Sequence, residues 1–220
     1  MSDEDGADLF EASLLLVAGT APPGHATAAR RRTDWQLVAA AWEEAPLRAE
    51  FEAAYAAARF AEVMRAVPAV DCWTGRREAG IRRRYETFVV DVAAADPGDV
   101  LGRLEDEWTR GADLLLGDGA ADETRLRTRA VAVWRCALLT AAPRHSTSGM
   151  RLRARDGRSL RLLARSAQVL GVPSEAHTGR GRQILSVGGR GAVKLRLATH
   201  VTPTTERSAD GEAPVARCGN

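Results

Sequence analysis

The chain of 220 residues has little cysteine, and its three thiols, Cys72, Cys136 and Cys218, lie far apart with no CxxC pair or Cys/His cluster. This set excludes a disulfide framework and a zinc finger, because both need paired or clustered cysteines. A chain of this length buries enough apolar surface to fold without cross-links. We therefore expect an intracellular protein, cytoplasmic or peripheral at membranes, the nuclear envelope among them, and not secreted.

Long hydrophobic runs are also absent. The longest run near the amino terminus, residues 14–18, is short and follows acidic residues, so it is predicted to be neither a signal peptide nor an anchor. No later stretch reaches the ~18 apolar residues that a membrane span needs. No transmembrane segment is predicted.

Catalytic motifs are scarce. The histidines are predicted in loops or at the end of an element, with no neighbouring acid at a useful spacing; they are His25, His145, His177 and His200. The glycine-rich stretches 179–181 and 188–191 lack a following Lys-Ser/Thr at a helix start, so hairpin turns explain them better than phosphate loops. We predict no enzymatic activity, no cofactor and no metal site.

The net charge of +2 hides two halves of opposite sign. Residues 1–142 carry 17 Lys+Arg and 24 Asp+Glu, a balance of −7, whereas residues 143–220 carry 14 and 5, a balance of +9. An acidic front and a basic back predict two modules with different partners. Arginine makes up 30 of the 31 basic residues, which fits a GC-rich coding sequence as well as a binding surface.

Apolar residues at spacings of three and four predict a mainly α front half. An acidic lead, a short helix and a loop are assigned to residues 1–33, and a multi-helix bundle to residues 34–142. Residues 71–80 are predicted to connect two helices. The central helix is predicted at residues 82–95, because apolar side chains leave that segment little polar surface.

The remaining residues predict a small basic α/β module at 143–201 and a disordered tail at 202–220. Arginine alternates with apolar residues over 150–155, which is the period of a strand. An amphipathic helix is predicted at 159–170 and a hairpin at 175–187. The tail is polar and rich in Gly, Pro and Ser, a composition that does not support a packed core.

Three stretches of the front half carry motif-like patterns. They are Leu-Arg-Ala-Glu-Phe-Glu-Ala-Ala-Tyr at 47–55, Arg-Tyr-Glu-Thr-Phe-Val-Val-Asp at 84–91 with Val-Leu-Gly-Arg-Leu at 100–104, and Val-Ala-Val-Trp-Arg at 131–135. Over residues 8–142 they resemble the Bcl apoptosis regulators, in particular the viral, tail-less kind typified by the adenovirus early-region small T antigen. The first stretch lacks the family's small-residue and Asp pair, and the second has Val-Leu in place of Asn-Trp.

The resemblance implies an anti-apoptotic protein that sequesters the amphipathic killer-motif helix of host Bak- or Bax-like proteins in an apolar groove. The implied groove residues are Tyr55, Phe60, Val63, Phe88, Gly102, Arg103 and Leu104. In the family, a glycine at this place lets the ligand helix approach closely and an arginine pairs with an aspartate of the ligand. Those roles fall here to Gly102 and Arg103.

The basic back half supports an alternative. From residue 131 onward, the order helix, strand, helix, hairpin and helix resembles a degenerate half of the homing-endonuclease-type fold, as used in some DNA-binding regulators. Arg151, Arg153 and Arg155 on one strand face are the candidate nucleic-acid contacts. The acidic residue that closes the first helix of that fold is replaced by Ala-Ala-Pro at 141–143, so binding without cleavage is expected. A helical scaffolding protein is a third possibility.

Overall fold

A computed structural model describes residues 3–19, 47–79, 85–117, 122–140, 144–146, 149–179 and 182–201. The described elements are, in chain order, α1 (Asp3–Gly19), β1 (Leu47–Phe51), α2 (Ala54–Arg65), β2 (Val70–Ala79), β3 (Tyr85–Ala94), α3 (Pro97–Leu116), α4 (Glu123–Thr140), β4 (Arg144–Ser146), β5 (Gly149–Ala154), α5 (Gly157–Val169), β6 (Ser174–Gly179), β7 (Arg182–Gly188) and α6 (Gly189–Thr199). The fold is mixed α/β.

The prediction of a mainly α, Bcl-like bundle is wrong. Strands β1, β2 and β3 form an antiparallel sheet in the order β1-β3-β2, called sheet A here, within the residues assigned to the bundle. The predicted central helix at 82–95 is occupied by β3, the middle strand, and the predicted connector at 71–80 by β2. The β-branched and aromatic residues that fill β3 are those that favour strands.

The predictions for the back half are confirmed at the level of its elements. The alternating segment 150–155 is β5, the amphipathic segment 159–170 is α5, and the hairpin at 175–187 is β6 and β7. These strands and β4 form a second antiparallel sheet in the order β4-β5-β7-β6, called sheet B here. The predicted loop at 20–33 and the tail at 202–220 lie outside the described residues.

The fold divides before α4, and not at residue 142, into two halves that repeat one topology. A long helix is followed by a strand, a helix, a hairpin and a helix, first as α1-β1-α2-β2-β3-α3 and then as α4-β5-α5-β6-β7-α6. The strand order β1-β3-β2 of sheet A matches β5-β7-β6 of sheet B. The leading helices of the two halves, α1 and α4, pack against each other.

The halves also share their hydrophobic interior. One cluster of buried side chains lies under sheet A and includes Cys136 from α4, and a second lies under sheet B and includes Phe10 from α1. Trp134 of α4 is fully buried and belongs to the second cluster, as do Met150 and Leu152 of β5. Each leading helix thus contributes to the core of the opposite half.

A buried carboxylate reinforces this packing. Glu11 of α1 is 1% exposed, and its Oε1 and Oε2 accept hydrogen bonds from Nε and Nη2 of Arg59 in α2, both at 2.9 Å. Nη1 of Arg135 in α4 donates to Oε2 of the same carboxylate at 2.6 Å. Nε of Arg135 donates to the carbonyl of Thr199 at 3.1 Å. One carboxylate therefore connects α1, α2 and α4, and Arg135 extends the network to α6.

Among the helices that the structure describes, none is long and apolar enough to cross a membrane.

Candidate nucleic-acid interface

Strand β5 presents two chemically different faces. Met150, Leu152 and Ala154 point inward and are buried, whereas Arg151 and Arg153 are exposed on the opposite face. This division follows from the period-two alternation of strand side chains. The strand therefore anchors itself with alternate apolar residues and holds two guanidinium groups on the outside of the sheet.

The register of sheet B extends this exposed face across three strands. Directly paired residues of an antiparallel ladder share a face. Arg151 pairs with Ser186, which pairs with Glu175, and Arg153 pairs with Ile184, which pairs with His177. We refer to these six residues together as the sheet B outer face.

The charge on the sheet B outer face is not balanced locally. Within the described part of the chain, neither Arg151 nor Arg153 has a carboxylate partner, and the carboxylate on this face, Glu175, lies 3.6 Å from His177 Nε2. Glu175 is two strands from Arg151, which is about 10 Å at the usual strand spacing. The two guanidinium groups are therefore available to an anionic ligand.

The repeat provides an internal comparison for these positions. The two sheets can be aligned at the ends of β1 and β5, each of which precedes a helix. In this alignment Arg48 is equivalent to Arg151, and their partners on the middle strands, Asp91 and Ser186, are equivalent to each other. In sheet A, Nε of Arg48 donates to Oδ1 of Asp91 at 2.6 Å. The hydrogen bond and the charge of Asp91 raise the pKa of Arg48 above its ordinary value. The arginine of sheet A is thus neutralised by a carboxylate that sheet B replaces with serine.

The position in sheet A that is equivalent to Arg153 also carries a paired charge. The same alignment equates Glu50 of β1 with Arg153 of β5. Oε1 of Glu50 accepts a hydrogen bond from Nη1 of Arg77 at 3.1 Å, and this pair joins the two outer strands of sheet A across the middle strand. Sheet A therefore presents paired charges where sheet B presents arginines without a carboxylate partner among the described residues.

The third predicted contact, Arg155, has a different role. It follows the end of β5, and its Nη1 donates to the backbone carbonyl of Val17 in α1 at 3.0 Å. It thereby fixes the end of β5 to the last turn of the opposite half's leading helix. Of the three arginines predicted to contact nucleic acid, the structure places Arg151 and Arg153 together on the outer face, and Arg155 beyond the end of the strand, where it is hydrogen-bonded to Val17.

Other basic residues of the back half support its fold. The guanidinium of Arg158 lies 5.6 Å from the ring centre of Trp108, Arg165 donates to the carbonyl of Leu115, and Lys194 donates to that of Gly171. Asp156 accepts from the backbone N–H of Ser159 and caps α5. Within the described residues 149–179 and 182–201, ten Lys+Arg stand against two Asp+Glu, so this half remains basic after its structural contacts are satisfied.

The ends of the leading helices contain no acidic side chain. Residues 16–19 end α1 and residues 137–140 end α4, and neither turn contains Asp or Glu. In the described ranges, no group of three or more His, Cys, Asp or Glu side chains is arranged to hold a metal ion.

The implied groove residues do not line one surface. Phe60, Val63 and Leu104 are buried in the cluster under sheet A, and Phe88 packs against the same cluster. Tyr55 is 62% exposed and thus lies apart from this interior. Gly102 is exposed on α3 and Arg103 is half-buried there. Phe60 and Phe88 therefore contribute to a core where the resemblance implied an open groove.

Comparison with known proteins found no family model and no curated protein that matches the chain. Among solved structures, the N-terminal LAGLIDADG domain of DUF199/WhiA matches with a TM-score of 0.47 and 11% identity, over 92% of this chain and 93% of that one. Full-length DUF199/WhiA from Thermatoga maritima matches with the same TM-score and identity, over 92% of this chain and 62% of its own length.

The resemblance to the Bcl apoptosis regulators is wrong. Two of the stretches that carried it, at 47–55 and 84–91, are largely the strands β1 and β3 and not helices. The roles implied for Gly102 and Arg103, and the Bak- or Bax-like partners, lose their basis with the resemblance.

Proposed function

We propose that the protein binds a nucleic-acid duplex through the sheet B outer face and does not cleave it. The observation that supports this most directly is the pair Arg151 and Arg153, which are exposed on one face without a carboxylate partner in the described residues. Guanidinium groups form strong charge-assisted hydrogen bonds with phosphate oxygens, and such contacts supply most of the affinity for a duplex.

The comparison with sheet A supports a specific role for these arginines. An abundance of arginine from codon usage would place unpaired guanidinium groups on both sheets alike. At the equivalent positions, however, Arg48 is paired with Asp91, and Glu50 replaces the second arginine. The positive charge is therefore concentrated on one of two topologically equivalent faces.

The shape of the face suits a duplex. Strands β5 and β7 are the middle strands of sheet B and lie about 5 Å apart, so side chains from both fall within the major groove of B-form DNA, which is about 12 Å wide. Strands β5 and β7 are adjacent and antiparallel, and they present Arg151, Arg153 and Ser186 as donors beside the half-exposed Ile184. Donors of this kind bind phosphates and base edges, and an aliphatic side chain contacts the thymine methyl group.

Binding without cleavage is proposed from the ends of the leading helices. Hydrolysis of a phosphodiester by metal ions requires carboxylates that hold the ions at the scissile bond. Neither residues 16–19 of α1 nor residues 137–140 of α4 supply one. We therefore expect duplex DNA to remain intact after incubation with the protein and Mg²⁺.

The test is fluorescence anisotropy on a labelled random-sequence DNA duplex, with the full chain and an Arg151→Ala/Arg153→Ala variant. Loss of two charge-assisted contacts is expected to weaken binding by at least about tenfold. Arg48→Ala is the matched control, because Arg48 occupies the equivalent place in sheet A and is paired. Its affinity should stay within about twofold of the wild type. Equal effects of both variants, or no binding by the wild type, would remove the proposal, and cleavage in Mg²⁺ would remove its non-catalytic part.

A further inference from the structure

Strand β2 lies at the edge of sheet A among the strands that the structure describes. It runs for ten residues from Val70 to Ala79 and pairs with β3 on one side. No strand in the described part of the chain pairs with its other side. An edge strand of this length presents a row of backbone N–H and C=O groups that can pair with another strand.

The same strand carries a large exposed aromatic side chain beside an open glycine. Trp73 is 59% exposed, and a Cβ atom at Gly75 would meet no atom within 4 Å. Both residues lie on the outer side of sheet A, because they pair with Asp91 and Val89 in the ladder. Exposed tryptophan is a frequent anchor of protein interfaces, since its burial by a partner contributes a large area.

We propose that two copies of this chain dimerise by antiparallel pairing of their β2 strands about a two-fold axis at Thr74. In this register, residues whose numbers add up to 148 face each other. Trp73 then covers Gly75 of the second copy, and Asp71 faces Arg77 of the second copy. Each of these contacts occurs twice, so that residues 70–78 of the two strands join two copies of sheet A into one six-stranded sheet.

Charge complementarity selects this register. Asp71 is exposed and has no ion-pair partner among the described residues. Arg77 is 62% exposed and donates from Nη1 to Glu50, which leaves further N–H donors for a second carboxylate. The pairing therefore supplies Asp71 with a cation without breaking the existing ion pair.

Other registers lose these contacts. Only shifts by two residues keep the faces of the sheet aligned. A shift by two places Gly75 opposite itself and Asp71 opposite Ala79, and a shift by four places Arg76 opposite Arg76. This face carries the carboxylates Glu50, Asp71 and Asp91, of which two are paired with Arg48 and Arg77. The positive charge is thus already compensated, which disfavours a nucleic-acid backbone as the occupant.

Sedimentation velocity on the full chain, over a range of concentrations, tests the proposal. The wild type is expected to approach twice its monomer mass of 23.6 kDa. Trp73→Ala should raise the dissociation constant of the dimer by at least about tenfold and leave the circular dichroism spectrum unchanged. Arg151→Ala/Arg153→Ala should leave the mass unchanged, so this result is independent of nucleic-acid binding.

Cysteine cross-linking tests the register. In a Cys72→Ser/Cys218→Ser background, Thr74→Cys should form a disulfide-linked dimer on mild oxidation, because the two introduced thiols face each other across the axis. Gly75→Cys is the control and should not, because its Cα would lie roughly 8 Å from its own symmetry mate, beyond the reach of a disulfide.

Three outcomes would overturn the proposal. The first is a monomer at every concentration, and the second is cross-linking through Gly75→Cys in place of Thr74→Cys. The third is a Trp73→Ala variant that binds nucleic acid more weakly while its mass is unchanged, which would assign Trp73 to the nucleic acid.

Discussion

Replacement of Glu11 by glutamine tests whether the network between the two halves stabilises the protein. Glu11 is 1% exposed and holds both Arg59 and Arg135. Removal of one partner from a buried ion pair typically costs 3–5 kcal/mol. The arginine side chains are 22% and 23% exposed, and so partly accessible to water. The lower end of that range, about 3 kcal/mol, is therefore expected.

The assays are urea unfolding, which measures the free energy of unfolding, and thermal unfolding, which measures Tm, both followed by circular dichroism. For a chain of about 200 residues, a loss of 3 kcal/mol corresponds to a fall of roughly 6–12 °C in Tm. Glu62→Gln is the matched control, because Glu62 also pairs with Arg59 at 3.0 Å but is 68% exposed. It should cost no more than about 1 kcal/mol. A loss below about 1 kcal/mol for Glu11→Gln would refute the reasoning that this carboxylate joins the halves.

Three further predictions concern the ion pair of Asp91, the buried thiol of Cys136 and the core around Trp134. Asp91→Ser places in sheet A the residue that sheet B has at the equivalent position, so it should free Arg48 and raise duplex affinity in the anisotropy assay. Burial raises the pKa of the Cys136 thiol from 9.0 to about 12, and the negative charge of Glu11 adds to this effect. As the pH rises, the thiol therefore ionises in the unfolded chain before it ionises in the folded one. Stability should fall by about 1.4 kcal/mol per pH unit between pH 9 and 12, and Cys136→Ser should remove this loss in urea titrations. A fragment of residues 1–142 should lack cooperative thermal unfolding, because Trp134 belongs to the buried cluster under sheet B, most of whose members lie beyond residue 142. A cooperative transition would show instead that residues 1–142 fold alone.

The back half was predictable because its patterns are local and regular. Arg151 and Arg153 alternate with the buried Met150 and Leu152, which gives a clear period of two. The helix that follows begins at an aspartate cap and carries apolar residues on one side. The basic outer face was therefore visible in the sequence, although the separate role of Arg155 depends on its contact with Val17 in the other half.

The front half was mispredicted because its strands lack a clear alternation. Val89 and Val90 of β3 are both buried although they lie on opposite faces. Val90 belongs to the buried cluster under sheet A, whereas Val89 lies on the outer side, where it pairs with Glu50. Such a continuous apolar run resembles a buried helix in sequence. Strand β2 is polar and depends on its pairing with β3, a contact that no local pattern shows.

The most direct test of the account is the salt dependence of duplex binding. Each phosphate contact contributes about 0.9 to the slope of log K against log salt concentration for B-form DNA. If Arg151 and Arg153 both contact phosphates, the Arg151→Ala/Arg153→Ala variant should show a slope shallower than that of the wild type by about 1.8, and Arg48→Ala should show the wild-type slope. A double variant with the wild-type slope would contradict the claim that the sheet B outer face binds nucleic acid.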